Sequence, residues 1–266
     1  VASYDALYTL PATRLRAFRV GRLAILQDGR PTGLGIPILA YAIDAPGGVF
    51  VIDTGLSPRW AETSEVHLGP DDSPSPGTPY SPELDGPPLV DQLANLGIRP
   101  DRLVCTHLHE DHAGGAAALG LTLEASAAEL ARLADDGAAA DGYPVDDLRR
   151  VPTRALELDP SRPLGPFPAS LELAQGVIAV DTSGHTPGSI SVLACIGPAW
   201  ALVCGDAPYP RMDQPGSPAF EGALRLRRAL DDHRGLRLFP AHDTVVLRSG
   251  AADGWLGPGP DIDEPE

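Results

Sequence analysis

Short apolar runs and alternating apolar–polar stretches, bounded by Gly, Pro and Asp, recur along most of this chain and read as strands. Ala6–Leu10 and Arg14–Leu26 open the series. Segment 37–53 reads as a hairpin, two apolar strands around a turn at Asp44–Gly48, with Thr54-Gly55 ending the second strand. Arg102–Thr106 is a short buried strand. Residues 151–180 alternate strands with a proline-rich turn at Pro160–Pro168. Ser191–Ile196 and Ala199–Cys204 form a hairpin around Gly197-Pro198, and Arg237–Pro240 is a last short strand.

Helical periodicity is sparser. Leu89–Leu96 predicts a short helix ended by Gly97. Ala113–Leu119 has helical composition, weakened by Gly114 and Gly115. Glu124–Asp135 is Ala- and Leu-rich and predicts another helix. The acidic, Ala- and Gly-containing stretch Asp135–Asp147 reads as weakly ordered. Ala219–Leu230 is the clearest amphipathic helix, with Phe220, Ala223, Leu224, Leu226 and Leu230 on or near one face. Strands and helices intermix throughout and no linker separates halves, so residues 1–266 read as one α/β domain. Segment 57–88 breaks the pattern: eight prolines, several serines and an acidic bias mark a long irregular excursion. Loops of that length often cover binding sites, and Trp60 and Tyr80 would supply apolar surface to such a lid.

Composition narrows the partners. A chain of 266 residues with 43 % apolar residues, 29 Gly and 29 Pro is folded and loop-rich. Its formal charge of -16, from 36 acidic and 20 basic residues, repels phosphate backbones and argues against nucleic acid and anionic membranes. No apolar run reaches membrane-spanning length, and the first residues lack the pattern of a signal peptide; a cytoplasmic location is the expectation. Cys105, Cys195 and Cys204 are odd in number and lie in apolar runs, so they read as structural thiols. A small-molecule substrate is expected, and homo-oligomerisation is left open.

The densest chemistry is His107-Leu108-His109-Glu110-Asp111-His112. In an extended loop, residues two apart point the same way, so His107 and His109 can grip one ion. Asp111 and His112 follow at once, and a tight turn can aim them at a second. These four are too few for two ions wanting about four ligands each. His185, Asp206 and His242 add three more, the last two just past apolar strands, as a site at a sheet rim requires. His67 and His233 sit in polar surroundings and read as surface residues.

The cluster, Val51-Ile-Asp-Thr-Gly55, Gly184-His-Thr-Pro-Gly188, Gly205-Asp206 and Ala241-His-Asp243 together resemble the metallo-β-lactamase superfamily over nearly the whole chain. That resemblance implies an αββα sandwich with metals at one edge of the two sheets. It implies that His107, His109 and His185 hold one divalent ion, that Asp111, His112 and His242 hold another, and that Asp206 bridges them. Zinc suits this mixture of imidazole and carboxylate. Asp53 would orient a ligand or a nearby backbone turn. Tyr209, three residues after Asp206, resembles a tyrosine of the superfamily's N-acyl-homoserine lactonases, and Ala-His-Asp and the opening Leu7-Tyr-Thr-Leu-Pro11 are similar too. The implied activity is opening of a lactone ring by a metal-bridging hydroxide, with Tyr209 at the carbonyl oxygen and Asp111 returning a proton to the leaving oxygen. Glu110 and the small acidic residues of 135–147 depart from the lactonase pattern. They keep a thioester, β-lactam or other ester in view as the alternative substrate.

Overall fold

Which face each strand buries decides how this chain stacks. The computed structural model describes residues 13–28, 30–61, 80–197, 199–208, 216–233, 235–248 and 250–257. One sheet contains β1 (Arg14–Gln27), β2 (Arg30–Ala45), β3 (Gly48–Ile52), β4 (Tyr80–Glu83), β5 (Arg102–Val104), β6 (Leu123–Ser126) and β7 (Thr153–Leu156), in the spatial order β4-β1-β2-β3-β5-β6-β7. The other contains β8 (Ser170–Ala174), β9 (Val177–Asp181), β10 (Ile190–Ile196), β11 (Ala199–Gly205) and β12 (Leu236–Pro240), in the order β12-β11-β10-β9-β8. The helices are α1 (Leu89–Asn95), α2 (Glu110–Ala113), α3 (Ala116–Leu119), α4 (Ala127–Leu133), α5 (Val145–Leu148), α6 (Pro218–Asp232) and α7 (Thr244–Arg248).

Alternation along the strands produces three apolar layers. Leu39, Tyr41 and Ile43 of β2 face Val192 and Ala194 of β10 and Ala201 and Val203 of β11, forming the core between the sheets. Ile38, Ala40 and Ala42 point the other way, into a layer covered by Leu89 and Leu93 of α1, Ala113, Ala116 and Leu148. Trp200, Leu202 and Cys204 point outward from the second sheet against Leu226 and Ala229 of α6. Helices cover both outer faces, so the architecture is the αββα sandwich. Both sheets are apolar on both sides, which explains why several strands read as unbroken apolar runs rather than alternating ones.

Several boundaries differ from expectation, each for a local reason. The predicted helix Glu124–Asp135 begins as strand β6, and α4 starts only after Ser126, whose side chain accepts from the Glu129 N–H and caps it. Glu124 is a buried strand residue bound by Arg102 and Arg154. Helix Ala113–Leu119 is two short turns, α2 and α3, with Gly114 and Gly115 between them. A Cβ on Gly114 would lie 2.8 Å from the Ser57 nitrogen, and one on Gly115 would lie 2.8 Å from the Thr54 carbonyl oxygen. Glycine here lets the cluster pack against the loop after β3. Strand β5 stops at Val104 rather than Thr106, because Thr106 turns to donate to Asp53.

Residues 135–147 are ordered, not loose. A 3-10 turn at Ala139–Asp141 leads into α5, Ala138 and Tyr143 are buried, and Arg132 ion-pairs with Asp135 and Asp141. His233 is buried at the end of α6, where its Nδ1 accepts from the Gly235 N–H, rather than lying on the surface. Helix α6 buries Gly222, Leu226 and Ala229, so the seated face is narrower than the apolar set read from sequence. The excursion 57–88 returns to the sheet as β4, paired with β1 from Arg22↔Glu83 to Ile25↔Tyr80. The predicted strand Ala6–Leu10, His67 and the lid residues 62–79, with the side chains of Trp60 and Tyr80, lie outside the described residues. All three cysteines are buried and free, as expected of structural thiols.

Candidate metal centre

Strand direction gathers the polar residues at one rim. β3, β5, β6 and β7 run parallel, as do β11 and β12. Asp53 follows β3, the cluster 106–112 follows β5, Asp206 follows β11 and His242 follows β12. His185 comes from the turn between β9 and β10. Residues just past the carboxyl ends of parallel strands point into a shared crevice, which is where α/β sheets place their sites.

Two groups meet there. His107 Nε2 lies 3.1 Å from His109 Nδ1, and His185 Nε2 lies 3.2 Å from the same atom. Neutral imidazoles cannot satisfy this arrangement among themselves, because His109 Nδ1 offers a single lone pair or a single proton to two facing nitrogens. Four ligands at zinc–nitrogen bond length around a tetrahedral ion would sit about 3.3 Å apart, close to the spacing found. The other group is Asp111, His112 and His242, whose ligand atoms all lie within 4.8 Å of one another. His242 Nε2 is 3.3 Å from Asp111 Oδ2.

Asp206 stands between the groups. Its Oδ1 is 3.4 Å from His112 Nε2 and 3.2 Å from His242 Nε2, and its Oδ2 is 3.5 Å from His185 Nε2. His112 Nε2 and Asp206 Oδ1 are buried and make no hydrogen bond of normal geometry among the described residues. Such atoms are costly unless a cation is their partner. The donor set therefore fits two divalent ions sharing one carboxylate.

The outer nitrogens fix which atoms face inward. His112 Nδ1 is 2.9 Å from Asp53 Oδ2, and His242 Nδ1 is 2.8 Å from the Pro37 carbonyl oxygen. Both partners only accept, so each Nδ1 carries the proton and each Nε2 offers its lone pair to the centre. Thr106 donates to Asp53 from its N–H at 2.7 Å and its hydroxyl at 2.8 Å, and its oxygen lies 3.2 Å from His107 Nδ1. Asp53 thus steers one histidine of each group. It adopts a φ of 60°, left-handed backbone that a non-glycine residue holds only when its surroundings enforce it.

Electrostatics divide the centre in the same way. Burial pushes His107 well below the ordinary histidine range and His109 down to about 4, and it also lowers His185. Those rings stay neutral and ready to ligate. Burial opposes charge on His112 too, but Asp111, Asp206 and Asp53 outweigh it and raise its pKa well above the ordinary value. His242 rises to about 10 against the same burial, through Asp206 and Asp111. Asp111, which burial alone would raise, is held down to about 2 by His112 and His242. Without a bound cation, the surrounding carboxylates therefore favour the protonated forms of His112 and His242.

All seven residues read as ligands, and Asp53, therefore lie together at this rim. Tyr209 lies outside the described residues. Sequence reading missed Thr106, the Pro37 carbonyl, Tyr143 and Glu129. Glu129 had a signal, the Ser126-x-x-Glu129 spacing of a helix start, but its buried carboxylate turns away from the helix towards the cluster.

The family model described as the metallo-beta-lactamase superfamily matches residues 34–257. Among solved structures, the chain is similar to a B. thuringiensis AiiA mutant with N-decanoyl-L-homoserine at its active site. They share 20 % identity over 90 % of this chain and 97 % of that one, with a TM-score of 0.68. It is similar to AidC, a dizinc quorum-quenching lactonase in complex with its homoserine product, at 13 % identity over 88 % of each chain and a TM-score of 0.58. A probable metal-dependent hydrolase from Staphylococcus aureus matches at 13 % identity over 88 % of this chain and 91 % of that one, with a TM-score of 0.57. No curated protein matches the sequence. At these identities the solved structures speak to the fold.

Proposed function

The chain belongs to the metallo-beta-lactamase superfamily and is a metal-dependent hydrolase, and from that premise we propose that it opens a lactone ring, most readily that of an N-acyl-homoserine lactone, at a dinuclear centre. The observation that carries the dinuclear reading is the Asp206 carboxylate, with one oxygen towards His112 and His242 and the other towards His185. His107, His109 and His185 would hold one ion, and Asp111, His112 and His242 the other. Zinc fits the donors best. When bound, such a pair supplies Lewis acidity and lowers the pKa of a shared water towards neutrality.

The chain's own residues divide the remaining work. Asp53 holds the His112 ring in register and, through Thr106, the His107 ring. The Pro37 carbonyl does the same for His242. Asp111, ionised and against His242, accepts a proton at its carboxylate and returns it to the oxygen that leaves the opened ring. Tyr209 donates a hydrogen bond to the carbonyl oxygen as negative charge grows there, a role proposed from its spacing to Asp206. The lactone assignment is supported by that spacing and by the homoserine products bound in similar folds.

The test is a side-by-side assay of lactones, thioesters and β-lactams on protein of measured metal content. Rapid opening of one lactone class, with the other two slow, is expected. Slow lactone opening beside rapid thioester cleavage would overturn the substrate assignment while leaving the centre intact.

A further inference from the structure

We propose that Glu129 is a positioning residue for the His107–His109–His185 half of the centre, setting the affinity of that half while leaving the other half nearly unaffected. The inference deepens the two-ion reading and rests on it. Glu129 is fully buried on α4 and is not itself among the grouped ligand atoms. Its Oε2 accepts from the Leu108 N–H at 3.0 Å and from the Tyr143 hydroxyl at 3.1 Å. Its Oε1 accepts from the Gly188 N–H at 3.0 Å and from the Thr186 hydroxyl at 2.5 Å.

The identity of those donors gives the role. Leu108 is the residue between His107 and His109, and Thr186 and Gly188 follow His185 in its turn. One carboxylate therefore ties together the two loops that carry all three histidines of this half. Tyr143 adds a second contact, because its ring meets the His109 ring edge-on with centroids 5.2 Å apart. Ser126 reinforces the tie by donating to the Gly188 carbonyl at 2.7 Å. Gly188 leaves no room for slack, since a Cβ there would lie 2.3 Å from Ser126 Oγ and 2.5 Å from the Glu129 nitrogen. The grip is one-sided. His112 and His242 are held instead through Asp53 and Pro37, and Asp111 lies against His242.

A carboxylate is required, not merely a polar group. Each oxygen takes one backbone N–H, and a backbone N–H can only donate. A glutamine amide would present its NH2 to either Leu108 or Gly188, whichever way it turned. The two hydroxyls could reverse direction, but the facing backbone donor could not. Glu129→Gln should therefore release one of the two loops while keeping shape and volume.

The experiment is a Zn2+ titration of the full apo chain, labelled with 15N at histidine and read by long-range ring NMR spectra. The rings of His107, His109 and His185 report one half, and those of His112 and His242 the other. In Glu129→Gln, half-saturation of the first set should need about 10–100-fold more free zinc than in the parent chain. The second set should move less than about threefold. Tyr143→Phe removes one donor and keeps the ring, and should weaken the first set alone by about threefold or more. It carries the test if Glu129→Gln melts without cooperativity. Equal shifts of both sets, or none in either, would overturn the positioning role. A parent chain whose first three histidines ignore zinc would instead overturn the two-ion reading itself.

Discussion

Asp53 combines two costs, a left-handed backbone and a buried carboxylate, and the three contacts of that carboxylate explain why both are tolerated. It accepts twice from Thr106, fixes His112 and reaches His107 through the Thr106 hydroxyl. Asp53→Ala should therefore weaken zinc binding about 10–100-fold, measured by titration against a chelator of known affinity; unchanged binding would leave the carboxylate a purely structural role. Tyr209 is a different kind of test, because its role rests on spacing alone. If it serves the developing oxyanion, Tyr209→Phe should lower kcat about 100-fold with little change in metal content. A fall below about threefold would remove it from the chemistry. The ligands themselves were legible because His, Asp and their spacing advertise metal chemistry. Pro37 was not, since a backbone carbonyl has no side-chain signature, and neither was Glu129, whose partners lie far away in sequence.

Elements place those residues, and the short ones do so most strictly. The turns α2 and α3 fit beneath the loop after β3 only because Gly114 and Gly115 lack side chains, and the turn bearing His185 closes on α4 only because Gly188 does. Gly188→Ala should overpack that contact, costing about 1–3 kcal/mol. In thermal unfolding this is a fall of several degrees, at ~2–4 °C per kcal/mol for a domain near this size. A melting temperature equal to the parent's would show that the contact yields freely. Strand positions were readable from unbroken apolar runs, whereas the start of α4 was not. Leu123 and Ala125 fit a strand interior and a helix face equally well, and tertiary pairing of β6 with β5 and β7 decides between them. Residues 135–147 misled for a similar reason. Their small acidic composition looks loose, but order there comes from Arg132 and from burial of Ala138 and Tyr143.

At the scale of the whole molecule, the sandwich concentrates charge at one rim of an otherwise apolar stack, and that rim links metal, protons and stability. In the metal-free chain, His242 has its pKa raised from 6.5 to about 10 by Asp206 and Asp111. The stability it contributes is fully present below its unfolded pKa and is lost as pH rises through about 10. The apo protein should therefore unfold at lower denaturant between pH 7 and pH 10, while zinc-loaded protein, with cations in place of those protons, should change less over that window. Parallel losses in both forms would deny the protons that role. Among the described residues no helix is long and apolar enough to cross a membrane. The measurement that bears most directly on the centre is kcat against zinc content, from the stripped chain to full occupancy. Activity should stay low through the first equivalent and reach its plateau at two ions per chain; a plateau reached at one ion, or full turnover in stripped protein, would contradict a pair of cations bridged by Asp206.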